Sequence, residues 1–422
     1  MFEGWHAQQV SNDWVRLTIV PQLGGRLMQV SFGGHDYLFV NPKYKGQYIP
    51  PSAAAGRWIN YGGDKIWPMP EGDQDEHHWV LKSDPLDDGE YTFRVVSQGK
   101  HCSALLEGPP DPVTGLQYSR EISIGSDSPE ISFHATMKNS ADHPITWSVQ
   151  SVTQYDLASH TSSNDFNHDF FAFTPINPHS DYFTGYQVRN GLADDPSFEV
   201  KDGLFRLHWL YLENEVWLDS PAGWVAVVDG GAHFAMVERF TYQQQADYPG
   251  KATTIFYKNG VSITLDGNLV PKLTGSSSQE TPYYMEAELN SPMVSLRPGE
   301  SYRFDTDWFP TRAGNAFSTV NLAGMVAIPA AAVKSSKGVL ITGSFGVFFP
   351  GTIVVRFFDA HGAELGQMPI GVSDPLEVLK LSSDVAVPAG TAKISIHVLD
   401  NHGVDRGILG EADVKMPSGA TA

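Results

Sequence analysis

Asn60-Tyr61-Gly62-Gly63-Asp64-Lys65-Ile66-Trp67-Pro68 gathers two opposite charges and three ring-bearing residues around a glycine pair. Glycine takes positive φ and permits close approach of a neighbouring group. Tyr, Trp, Asp and Lys supply the flat faces and hydrogen-bonding groups that a sugar needs. The stretch therefore reads as the floor of a carbohydrate site. The plainer alternative is a tight turn whose Asp64 and Lys65 face water.

Outward from this turn the text is that of strands. Trp14 to Val20, Tyr91 to Val96, Glu130 to Met137 and Gly223 to Val228 are short, rich in β-branched or aromatic residues, and bounded by Gly, Pro, Asp or Asn. Forty Gly and twenty-eight Pro interrupt the chain too often for long helices. The expected class is all-β, with antiparallel sheets packed face to face. Polar, His-containing text from Asp156 to Asp195 breaks the rhythm and reads as one long irregular excursion.

A chain of 422 residues is long for one core. A boundary is expected between Thr311 and Ala323, dividing a large β domain (1–315) from a C-terminal β-sandwich (323–422). In that tail, Phe345 to Pro350 reads as core aromatics, with a binding edge as the alternative.

Forty-eight acidic against twenty-eight basic residues give a formal charge of −20. Nucleic acid and anionic lipid need a cationic surface, so both are disfavoured as partners, and a neutral glycan suits the balance better. Cys102 stands alone, which excludes an intrachain disulfide and a cysteine-based zinc site. No apolar run approaches the ~20 residues of a membrane span, and no secretion signal is legible at the amino terminus. The compartment is left open.

Pro21 to Leu27, Gly33 to Phe39, Gly62 to Pro68, Trp147 to Gln154, Glu286 to Pro292 and Leu296 to Glu300 follow one another along the chain. This order of motifs resembles that of the galactose mutarotase (aldose 1-epimerase) superfamily. Within that superfamily the chain is most similar to a poorly characterised bacterial branch with Gly-Gly-Asp-Lys and Glu-x-Glu signatures. The resemblance spans about residues 10 to 312. It implies a β-supersandwich whose open groove binds a mono- or oligosaccharide, without a cofactor, and places Arg26, Asp64, Lys65, Trp67 and Gln154 around it. It also implies that a Glu on a late strand, here Glu286 or Glu288, acts as a general base. Residues two apart on a strand share a face, and two carboxylates on one face push one pKa upward.

The acid is less legible. Mutarotation needs a group that protonates the ring oxygen, in the superfamily a His, yet Gln154 stands in the corresponding segment and an amide cannot donate a proton as an imidazolium does. His77 and His160 are the candidates in its place. Adjacent His77 and His78 would point to opposite faces of a strand, so no metal site is expected there. Neither a phosphate loop nor a Gly-x-Ser-x-Gly elbow is present. The expected function is saccharide binding with aldose-epimerase-like acid/base chemistry. The alternatives are a non-catalytic glycan-binding protein and a domain related to polysaccharide lyases or glycosidases.

Overall fold

The computed structural model describes residues 1–72, 77–162, 165–261, 282–314 and 316–416. Among these residues the strands form three sheets, and the fold is an antiparallel β-supersandwich accompanied by a smaller β unit. No helix among them is long and apolar enough to cross a membrane. The chain divides into two compact units. One comprises Met1–Ile124, Ile131–Val227 and Glu238–Trp308; the other comprises Gly125–Glu130, Val228–Val237 and Phe309–Ala422. The second unit takes in two short segments from the middle of the chain besides its C-terminal part.

An eleven-stranded sheet runs in the order Gln8–Ser11, Val15–Val20, Arg26–Phe32, Asp64–Met69, Ile145–Asp156, Tyr284–Asn290, Thr254–Lys258, Asn214–Leu218, Gln187–Asn190, with two short strands off this path. A ten-stranded sheet carries Leu116–Gly125, Ile131–Asn139 and Phe234–Phe240 among its members. The two sheets meet through interior side chains in the first unit. Asp64 of one pairs with Arg120 of the other, Phe205 stacks on Phe256 with ring centroids 6.1 Å apart, and Tyr155 donates a 2.6 Å hydrogen bond to Glu238.

The stretch from Asp156 to Asp195 is more regular than expected. Phe170–Pro175 and Gln187–Asn190 are strands within it, each paired antiparallel with a later strand. The run Phe170-Phe171-Ala172-Phe173 carries the strand signal, and the polar text around it masks that signal.

In the second unit an eight-stranded sheet surrounds Phe345, Phe348, Ile353, Val355, Ile394, Ile396 and Leu409, all fully buried. Phe348 stacks on Phe309 at 4.8 Å, so the Phe345 to Pro350 segment is core.

The glycine pair has a steric cause. Gly62 and Gly63 take φ of +94° and +75°, and a Cβ on Gly62 would lie 2.2 Å from the Phe39 carbonyl oxygen. The pair lets the chain turn beneath a neighbouring backbone and start the Asp64–Met69 strand. Gly62→Ala is expected to destabilise the first unit by roughly 2–4 kcal/mol, combining the left-handed backbone with the clash. Chemical denaturation measures this directly, and an unchanged midpoint would contradict the steric account.

Glu238 gives the fold a pH dependence. Burial pushes its carboxyl up to about 8. A group raised from about 4.5 in the unfolded chain to about 8 in the fold is protonated preferentially by the native state. Its contribution is therefore complete below about 4.5 and lost as pH rises through about 8. Glu238→Gln is expected to flatten the fall in thermal midpoint across that window, and an unaltered slope would count against this assignment.

Candidate functional site

Register alone assembles the site, because residues directly opposite each other on paired strands share a face. Lys65 lies opposite Val152, Val152 opposite Glu288, Glu288 opposite Ile255, and Ile255 opposite Trp217. One row along, Gln154, Glu286, Tyr257 and Glu215 line up in the same way. On the other side Trp67 lies opposite Gln150. Five strands thus present carboxylates, amides and aromatic rings to one face, while the alternate residues, Asp64, Thr153, Ala287 and Phe256, point to the interior.

A cavity of about 230 Å³ opens on that face, lined by Trp58, Trp67, Trp217, Tyr257 and five glutamates, Glu71, Glu213, Glu215, Glu286 and Glu288, among others. Lys65 Nζ lies 3.1 Å from Glu286 Oε1 and 4.3 Å from the centre of the Trp67 ring. Gln154 donates to the same Glu286 oxygen at 2.6 Å. Three of the other glutamates have neutral partners: Gln150 donates to Glu288, Trp217 to Glu215, and Tyr257 to Glu213.

These surroundings separate the two central carboxyls. Burial, with Glu286, Glu215 and Glu71 nearby, holds the Glu288 carboxyl well above the usual carboxylate range. Glu286 has a cation and an amide donor on one oxygen. Burial lowers the Lys65 ammonium below its ordinary value, with Glu286 opposing the shift. The face thus places two carboxyls with different partners on one strand.

Of the expected site residues, Lys65, Gln154, Glu286 and Glu288 come together by contact or by row, and Trp67 walls the cavity. Asp64 does not join them. Strand alternation turns it to the interior, where it pairs with Arg120 and accepts from Thr153 at 3.2 Å. Arg26 is fully buried and does not line the cavity. Its Nη2 bonds Asp87 Oδ1 at 2.6 Å, and the same oxygen accepts from Trp67 Nε1 at 2.7 Å, so Arg26 positions Trp67 through Asp87. His77 is exposed on a loop and His160 is exposed with its ring 5.9 Å from that of His35; neither lines the cavity. The sequence reading missed Glu213, Glu215, Trp217, Tyr257, Gln150, Glu71 and Trp58. Asn214-Glu215-Val216-Trp217-Leu218 did carry a signal, a polar and aromatic set alternating with buried positions.

The family described as domain of unknown function DUF4380 matches residues 6–310, which holds the whole cavity. The chain belongs to the DUF4380 family. Solved structures similar to this DUF4380 chain are remote in sequence. A TPR-domain containing protein from Parabacteroides distasonis is 13% identical with a TM-score of 0.47; the match covers 73% of this chain and 47% of that one, about half its length. The Slr1438 protein from Synechocystis is 11% identical with a TM-score of 0.49, over 73% and 96% of the two chains. A putative aldose 1-epimerase from Escherichia coli K12 is 11% identical with a TM-score of 0.40, over 73% and 99%.

Proposed function

We propose that the protein binds a saccharide on the concave face of the eleven-stranded sheet and interconverts its anomers by acid/base catalysis. The observation that carries this reading is the pair Glu286 and Glu288, on one face of one strand and held by different partners, Lys65 and Gln154 at Glu286 and Gln150 at Glu288, with burial and acidic neighbours raising the Glu288 carboxyl. Trp58, Trp67 and Trp217 supply apolar faces for a pyranose, and the glutamates and Gln150 accept from its hydroxyls.

In this mechanism the Glu286 carboxylate takes the proton of the anomeric hydroxyl as the bond between the anomeric carbon and the ring oxygen breaks. The protonated Glu288 carboxyl delivers its proton to that ring oxygen. The open-chain aldehyde rotates about its first carbon–carbon bond. Closure to the other anomer reverses both transfers, with no net change in either glutamate. Lys65, beside Glu286, steadies the negative charge at that end of the site. Glu288 thereby takes the part of the acid that Gln154 cannot play.

Exchange NMR on the α and β pyranoses of glucose, galactose, mannose and xylose tests this. The expected result is faster exchange between anomers of a sugar that binds. Binding without any acceleration would leave a glycan-binding protein in place of an enzyme.

A further inference from the structure

We propose that the groove continues past Trp217 to the edge of the sheet, where a second cavity seats further residues of an oligosaccharide chain. This inference rests on the saccharide reading of the first cavity and names the size of its ligand.

The row through Glu288, Ile255 and Trp217 does not stop at Trp217. Gln187 on the edge strand lies directly opposite it and shares its face. Gln187, with Tyr182, Phe183, Tyr186 and Lys251, lines a cavity of about 520 Å³. At about 4.8 Å per strand, the three steps from Glu288 to Gln187 span roughly 14 Å. One pyranose bound at Glu288 does not fill that length.

Trp217 joins the two cavities. It lines the first, and Gly250 packs against its ring so closely that a Cβ there would lie 2.3 Å away. The Gly250 carbonyl in turn accepts a 2.6 Å hydrogen bond from the Tyr182 hydroxyl, and Tyr182 lines the second cavity. Arg189, on the edge strand, stacks 4.2 Å from the centre of the Trp217 ring.

The chemistry of the second cavity differs from that of the first. Its polar groups are of mixed sign, Asp181, Lys251, Thr184 and Gln187, in place of a ring of glutamates. Such a set donates to and accepts from neutral hydroxyls. Phe183 is 105% exposed, an aromatic ring with no burial in the fold. An exposed ring beside a concave polar surface and in line with an aromatic-walled groove is a stacking platform for a sugar face.

Isothermal titration with α- and β-1,4-linked oligomers of glucose, mannose, galactose and xylose, one to six residues long, tests the proposal. In the wild-type chain, affinity for the series that binds is expected to rise at least tenfold from one residue to three. Phe183→Ala and Gln187→Ala are expected to remove most of that gain, with about three- to tenfold lost at Phe183, the worth of one aromatic contact. Monosaccharide affinity should be unchanged in both variants. Both positions are exposed, so neither variant is expected to unfold the chain. Monosaccharides binding as tightly as oligomers would overturn the extended groove and leave the first site standing. Failure of every saccharide, of any length, would overturn both.

Discussion

Glu288→Gln is expected to slow anomer exchange about 10²–10⁴-fold, the usual worth of a general acid or base, while sugar affinity stays within about threefold. The amide keeps the shape of the side chain and its contact with Gln150 but has no acidic proton. Glu286→Gln is expected to cause a loss of the same order, because the amide cannot take the anomeric proton. The pH profile separates the two roles. The Glu288 carboxyl, raised by burial and by its acidic neighbours, stays protonated above the ordinary carboxylate range, and the acid form is consumed as pH rises through that raised value. The wild-type rate should therefore have a falling limb on the alkaline side, and the residual rate of Glu288→Gln should lack it. A Glu288→Gln variant that exchanges anomers at the wild-type rate would refute the acid assignment.

Asp64→Ala is expected to cost about 3–5 kcal/mol of stability, the penalty for stranding a buried charge. Asp64 and Arg120 are both almost wholly buried, and the guanidinium lies 4.3 Å from the Phe133 ring, away from water. Removal of the carboxylate leaves Arg120 without its counter-charge between the two sheets. A drop of roughly 10 °C in the thermal midpoint follows from that cost for a domain of this size. Sugar affinity, measured well below the midpoint, should persist. The opposite outcome, full stability with lost binding, would return Asp64 to the ligand site and contradict its inward orientation.

Asp64 and Lys65 show how far a motif can be read. Both belong to the turn at Gly62 and Gly63, and the resemblance placed both in the groove. In a strand they point to opposite faces, so one became part of the ion pair between the sheets and the other part of the cavity. Glu286 and Glu288 were legible for the converse reason, since positions two apart share a face whatever the partner strands are. Arg26 was placed in the groove without knowledge of Asp87, which captures it together with Trp67. His77 and His160 were candidates because ring opening needs an acid; the structure leaves both off the cavity wall, and the acid proposed above is Glu288.

The sequence by itself determined the strand content, the glycine turn and the common face of Glu286 and Glu288, because these depend on local sterics and on a side-chain period of two. It also determined the acidic balance of the chain. Only the tertiary structure decided which strands lie side by side, and hence that Glu215, Trp217 and Tyr257, from strands distant in sequence, complete the cavity. It alone decided the contrast in surroundings between Glu286 and Glu288. That contrast arises from Lys65, Gln154 and the neighbouring carboxylates, and long-range pairing of strands brings these groups together.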